Sequence, residues 1–228
     1  MNILFEDENI IVLIKPAGIA TQTANIAGKD MVAMIKRHIY EEKGISNAPV
    51  FVIHRLDQPV EGILVFAYDK ESAANVNRQI ISREMQKTYT AIVEGKIELD
   101  GAIELRDYLY KDSKQNKAIV TSSSDKRGKE AILKLKCVGN EVVNEEDVSI
   151  LEIELCSGRF HQIRAQLSHF GHPILNDEKY GASHKSDSNN IHSIALYANK
   201  LKLIHPENKR KMSFDVLLNY AEFLDKYR

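Results

Sequence analysis

Apolar and polar positions along this chain fall into short, clearly bounded runs. Ile3 to Lys15 holds two apolar stretches separated by Glu6-Asp7-Glu8-Asn9 and followed by Pro16-Ala17-Gly18, a pattern that predicts a hairpin of two short strands. Between Lys29 and Glu42 the positions Met31, Met34, Ile35, His38 and Ile39 follow the spacing of one helix face, with Gly44 placed as its stop. Ile63 to Ala67 is a continuous apolar run, short enough for a strand buried on both faces, and Glu71 to Ile81 predicts a helix. The pattern then changes to period two: Tyr89, Ala91 and Val93; Leu133, Leu135 and Cys137; Leu151, Ile153 and Leu155 each share a sheet face. Ser122-Ser123-Ser124 marks a turn, and Ser183 to Ser193 is a polar loop expected to be mobile. Val216 to Tyr227 is apolar at helical spacing through Leu217, Tyr220, Ala221 and Leu224, which predicts a packed terminal helix. With no repeat or heptad, the chain reads as sheet-rich α+β.

Composition narrows the class. The 228 residues are 43% hydrophobic and 28% charged, close to the average soluble globular protein, which excludes a disordered chain, a collagen and a membrane protein. Cys137 and Cys156 are too few for a disulfide framework, no Cys-x-x-Cys is present, and both are expected to be buried thiols. Glu6, Asp7 and Glu8 interrupt the opening apolar stretch and no basic leader precedes it, so neither a signal peptide nor an anchor is expected and the cytoplasm is the default location. Lys and Arg number 31 against 32 Asp and Glu, a net charge of −1 that, taken alone, argues against a protein that coats nucleic acid.

Three stretches carry chemistry. In VIHRLDQPVEGILVFA, residues 52–67, an apolar strand leads into His54-Arg55-Leu56-Asp57, then a turn with Pro59 and Gly62, then a second buried strand. Asp57 therefore stands where a loop leaves a rigid scaffold, the usual address of a catalytic group. A local Arg55–Asp57 ion pair capping the turn is the competing reading, and His54 by itself fits a structural histidine. In CSGRFHQIRAQLSHFGHPILNDEKYG, residues 156–181, Ser157 and Gly158 suit a helix entry and Gly171 a stop. Phe160, Ile163, Leu167 and Phe170 then form an apolar face, while His161, Arg164 and Ser168 form the opposite row, able to line a cleft. A zinc site on His161, His169 and His172 competes, but its motif spacing is absent. In KTYTAIVEG, residues 87–95, Tyr89 faces inward with Ala91 and Val93, as a core tyrosine or as an aromatic platform for a base.

Taken in order, HRLD with a glycine five residues after the Asp, KxYxAxVxG, and GRxHQIR followed by GHPI and DxxYG resemble the RluA-like family of pseudouridine synthases. The opening EDENIIVLIKPAGI and the later LYANKLKLIHP extend the likeness over nearly the whole chain. The resemblance implies an α+β pseudouridine synthase catalytic fold: a long, mixed, mostly antiparallel sheet with flanking helices and a central cleft. It implies a single catalytic domain over residues 1–228, without the small S4 RNA-binding domain that many members carry in front. Asp57 is implied as the catalytic carboxylate, Tyr89 as the ring that stacks on the target uracil, and Arg164 as the cation that pairs with Asp57. Arg55 is implied as the residue that enters the RNA when the nucleotide leaves its stack, with His54, His161 and Gln162 as further RNA contacts. The expected partner is ribosomal RNA, transfer RNA or both, and the expected state is a monomer.

Isomerising uridine breaks the bond from C1′ to N1, turns the uracil and rejoins it through C5. Nothing is oxidised and no group is transferred, so no cofactor or metal is expected. An ionised Asp serves this chemistry by attacking C1′, by attacking C6, or by shielding an oxocarbenium-like sugar, and the sequence leaves all three open. The chain departs from the family pattern at Pro59-Val60-Glu61 where Thr-Ser is common before the glycine, at Gln166 where His is common, and at Asn176 where Gly is common. Two other functions compete: a catalytically silent RNA-binding or ribosome-assembly protein of the same fold, and a hydrolytic nucleosidase or glycosylase that would release free uracil.

Counted by segment, the charge is polar in its distribution. Lys111 to Lys129 carries a net +4 and Lys200 to Lys211 another +4, against −6 for Glu141 to Glu154. A local positive field for phosphates is thus compatible with a net charge near zero.

Overall fold

A computed structural model describes residues 1–23, 29–183 and 193–227. Along the chain it has β1 (Asn2–Glu6), β2 (Ile10–Lys15), α1 (Met31–Lys43), β3 (Phe51–Val52), β4 (Glu61–Ala67), α2 (Lys70–Ile81), β5 (Gln86–Glu94), β6 (Ile103–Asp112), β7 (Lys117–Thr121), β8 (Lys129–Val143), β9 (Glu146–Leu155), α3 (Gln162–His169), a 3-10 turn at Glu178–Tyr180, β10 (Leu196–Ile204), β11 (Lys211–Asp215) and α4 (Tyr220–Asp225). This is the α+β class expected. The first helices start where an aspartate can cap them: Asp30 accepts from the Ala33 N–H at 2.8 Å and Asp69 from the Ser72 N–H at 2.8 Å. α1 ends on Gly44 in the left-handed conformation, φ 67°.

The chain divides into two compact units, residues 1–86 with 198–216 and residues 87–197 with 217–228. In the first, β2 lies between β1 and β4, β3 also pairs β4, and β10 carries β11 on its far side. The β1–β2 hairpin turns on Asp7, whose carboxylate accepts from the N–H groups of Asn9 and Ile10. Ile10, Val12, Ile63, Val65, Leu201 and Leu203 make the core with Ala73 and Val76 of α2. Burial of the six residues after Glu61 confirms that β4 is covered on both faces.

The second unit is an antiparallel ladder in the order β5, β9, β8, β6, β7. Its register sets Tyr89 opposite Ile153, Ile153 opposite Leu135 and Leu135 opposite Ile103, one apolar row across four strands. The period-two reading of the sequence is this row.

Four expectations are corrected or lie out of reach. The terminal helix is only Tyr220–Asp225; of the four expected apolar positions Leu224 alone is buried, joined by Phe223 and Tyr227, whereas Leu217 is 89% exposed. Helix α3 begins at Gln162, with Phe160 and His161 still in the preceding loop, because Ser157 is used elsewhere: its Oγ accepts from Ile132 N–H and bonds Gln162 Oε1. Both thiols are only partly buried. Of the expected loop from Ser183 to Ser193, residues 184–192 lie outside the described residues.

Gly62, the glycine five residues after Asp57, has φ +135°, and a Cβ there would stand 2.5 Å from the backbone of Ala198. Close strand contact is possible only without a side chain. Gly62→Ala is expected to destabilise the protein by roughly 3 kcal/mol, measured by urea unfolding; a stability equal to wild type would show that β4 and β10 can separate without cost.

Candidate active site

In the first unit the loop that carries Asp57 is clamped on both sides of that residue. On one side Thr21 Oγ1 donates to the Leu56 carbonyl at 2.9 Å and accepts from the Leu56 N–H at 3.2 Å. On the other, the Gln58 carbonyl accepts from the Gly18 N–H at 2.8 Å and from Lys15 Nζ at 3.1 Å, and Gln58 Nε2 donates to the Gly18 carbonyl. Val60 N–H donates back to the Asp57 carbonyl at 3.0 Å and closes the turn. Asp57 itself is half-buried.

Lys15, which the sequence reading took only as the end of a strand, is the centre of this clamp. It is fully buried, and its ammonium donates to the carbonyls of Pro16, Ile19 and Gln58 at 2.8, 2.7 and 3.1 Å. Burial pushes Lys15 down to about 8, against the pull of the Asp57 and Glu61 carboxylates. The signal was present: Ile11, Leu13 and Lys15 share one face of β2, and a lysine on a covered face needs partners. Arg55 is exposed, whereas His54 is half-buried and its Nε2 accepts from the Val65 N–H of β4 at 3.4 Å.

In the second unit Tyr89 is 4% exposed on β5, inward as expected. Arg164 is 4% exposed while His161 and Ser168 are half-buried, and the row gathers on Tyr180. His161 Nδ1 bonds the Tyr180 hydroxyl at 2.9 Å, the Arg164 guanidinium lies 4.9 Å from the ring centroid, and Ser168 Oγ donates to the Tyr180 carbonyl at 2.5 Å. Arg164 Nε and Nη2 form a bidentate pair with Asp177, both at 2.7 Å. Asn176, where glycine is common, has φ +66°, a left-handed conformation that asparagine tolerates. That departure therefore preserves the turn that presents Asp177.

The expected role of Gln162 is corrected. It is buried, and its amide bonds Ser157 Oγ, Arg159 N–H, the Ile132 carbonyl and Gln166 Oε1, so it is spent on the scaffold and cannot reach RNA. Gln166 continues the network to Asp107 at 2.8 Å. The three histidines of the competing zinc reading go to separate partners: His161 to Tyr180, His169 to Asp107 and His172 to the Glu94 carbonyl. The Tyr180 hydroxyl accepts the Ala118 N–H at 2.7 Å and bonds His161 Nδ1 at 2.9 Å. Burial first, then the charges of Arg164, Lys179 and Lys111, push His161 down to about 3, so it is neutral at physiological pH.

Residues 9–169 match the RNA pseudouridylate synthase family. The chain is 32% identical to the RNA pseudouridine synthase YhcT of Bacillus subtilis, covering 90% of this chain and 65% of that protein. It is 31% identical to ribosomal large subunit pseudouridine synthase D of Zymomonas mobilis over 94% of this chain and 68% of the relative, and 30% identical to tRNA pseudouridine synthase C of Vibrio parahaemolyticus over 90% and 85%. The chain thus spans just under two thirds of the length of the Bacillus protein. Among solved structures, human RNA pseudouridylate synthase domain containing 1 superposes with a TM-score of 0.76 at 18% identity, covering 98% of this chain and 86% of its own. The fold is that of a pseudouridylate synthase domain.

Two outcomes follow from these arrangements. Lys15→Met removes the donor that joins three carbonyls, so amide exchange at Gly18 and Val60 is expected to accelerate about tenfold or more, with the β6–β9 amides unchanged. Unchanged exchange would show that Thr21 and Gly18 hold the loop alone. His161 sits at about 3 in the folded chain against 6.5 when unfolded, so between those values the unfolded state binds more protons. Its contribution to stability is therefore complete above pH 6.5 and is lost as pH falls towards 3. Urea unfolding across that window is expected to show a shallower acid loss in His161→Gln; equal slopes would refute the neutral assignment.

Proposed function

Because the chain belongs to the RluA-like family of RNA pseudouridine synthases, we propose that it isomerises uridine to pseudouridine at defined positions of structured RNA, with Asp57 as the catalytic carboxylate. The observation that carries this reading is the clamp: a carboxylate whose two chain neighbours, Leu56 and Gln58, are both held by buried donors. Such a group is pre-positioned at little entropic cost during reaction, which is what attack on, or shielding of, a single sugar carbon requires. Lys15 is a positioning residue in this scheme.

Arg164 is the proposed cation for Asp57. Two of its nitrogens are committed to Asp177, which fixes the plane of the guanidinium. Tyr89 is proposed to stack on the extruded uracil, a contact of about 1–3 kcal/mol in single-strand binders. A tyrosine hydroxyl, ordinarily titrating near 10, is a weak base for the C5 proton without help. Arg55, exposed beside the catalytic loop, is proposed to enter the RNA as the nucleotide leaves its stack. His54 and His161 are proposed as further RNA contacts, His161 in its neutral form.

Ribosomal or transfer RNA is the proposed substrate class, in keeping with the names of the relatives. Support comes from the segment Lys111 to Lys129, three of whose cations lie over rings from outside it: Lys111 4.4 Å from the Phe160 centroid, Lys117 4.8 Å from Tyr180 and Arg127 4.0 Å from Tyr110. Mapping pseudouridine in total RNA from cells with and without this protein identifies the target. On that RNA, Asp57→Asn is expected to lower turnover by about four orders of magnitude while binding persists. Turnover by that variant would sink the proposal, and release of free uracil by the wild type would replace isomerisation with hydrolysis.

A further inference from the structure

Strand β5 carries a second feature, two residues before Tyr89. Lys87 is largely buried, yet among the described residues it has neither a salt bridge nor a hydrogen bond, and burial alone depresses its ammonium, with no carboxylate contributing. The register explains why no carboxylate reaches it. Glu154 and Glu152 of β9 stand opposite Thr88 and Thr90, on the sheet face that Lys87 and Tyr89 turn away from. The tip of Lys87 comes up under Gly158: its Nζ would lie 3.9 Å from a Cβ placed there. Gly158 is exposed and has no side chain to cover that ammonium.

A buried cation without a counter-charge costs stability, and the mechanism above makes no use of it. Its natural complement is an anion that arrives from outside. Positions two apart on one strand face are about 6.6 Å apart, so an anion over Lys87 sits beside whatever stacks on Tyr89. We propose that Lys87, open to solvent across Gly158, is a phosphate-binding residue that takes a phosphodiester flanking the nucleotide whose base Tyr89 holds. The part of this that concerns Tyr89 rests on the function proposed above; the phosphate site itself does not. The bare backbone of Gly158 is the entrance, and the ammonium supplies a point charge with three donors suited to phosphate oxygens.

The test is binding of a labelled short oligouridylate over a salt series, with Tm recorded for each protein. Lys87→Met, which keeps the stem and removes the charge, is expected to weaken binding about tenfold or more and to reduce the slope of log affinity against log salt by about 0.7, the signature of one lost phosphate contact to a single strand. Its Tm is expected to hold or rise, because an uncompensated charge has gone. Lys87→Arg is expected to bind close to wild type. Gly158→Asp, which sets a carboxylate over the ammonium at an exposed position, is expected to weaken binding as Lys87→Met does. Wild-type affinity and slope in Lys87→Met would overturn the proposal. So would a lowered Tm together with an affinity that Lys87→Arg fails to restore, or failure of the wild type to bind the oligouridylate at all. The two readings fail separately: Lys87-dependent binding without pseudouridine formation refutes the isomerase, and pseudouridine formation with unaltered binding by Lys87→Met refutes the phosphate site.

Discussion

The geometry of the first unit depends on one buried ammonium. Lys15 donates to three carbonyls that belong to two separate pieces of chain, the turn over residues 16–19 and the loop that bears Asp57. Carbonyls are the right partners for this task. They satisfy the donors without supplying a full negative charge, so the cation continues to feel Asp57 and Glu61, as its electrostatics show. A carboxylate partner in the same place would have neutralised Lys15 and removed its influence on Asp57. Thr21, bonded to both backbone groups of Leu56, completes the restraint from the opposite side.

The second unit solves the corresponding problem differently. Arg164 is as buried as Lys15 but is matched by a formal charge, Asp177, in bidentate geometry. A buried ion pair of this kind adds little net stability over an apolar pair, although breaking it by removing one partner costs about 3–5 kcal/mol. Its value is directional. The two bonds fix the plane of the guanidinium, and Tyr180 lies 4.9 Å from it while its hydroxyl bonds His161 Nδ1. The chain therefore spends a DxxYG segment, Asp177 to Gly181, on orienting one arginine.

Much of this architecture was legible in the pattern of residues. The opening hairpin, α1 with its Gly44 stop, the doubly buried β4 and the Tyr89–Ile153–Leu135 row follow from periodicity and turn chemistry, because each is decided by local or nearest-strand packing. What was not legible depended on contacts distant in sequence. Ser157 looked like a helix entry until Ile132 claimed its hydroxyl, 25 residues away. Gln162 looked available to RNA until Ile132 and Gln166 occupied its amide. Near the end of the chain Leu217 has a helical apolar spacing but no surface to pack on, whereas Phe223 and Tyr227 meet edge-on at 5.6 Å and Tyr227 bonds the Ile194 carbonyl. Motif order pointed to Asp57, Tyr89 and Arg164; the partners that Lys15 finds in the loop of Asp57, and that Asp177 finds in Arg164, emerged only from the fold.

Three cations thus stand in three electrostatic states: Lys15 solvated by carbonyls, Arg164 neutralised by Asp177, and the half-buried Lys87 without a counter-charge among the described residues. A net charge of −1 over 228 residues conceals this distinction entirely. What governs attraction for a polyanion is the charge left uncompensated at a given place, and long-range fields are screened within about 8 Å at physiological salt. Arg127, bonded to Asp125, contributes less to such a field than its formal charge suggests, and Lys136, paired with Glu152, likewise. Lys87 contributes more, because no carboxylate among the described residues answers it. Within the acidic stretch from Glu141 to Glu154, strand parity turns Glu152 and Glu154 away from the face that carries Tyr89.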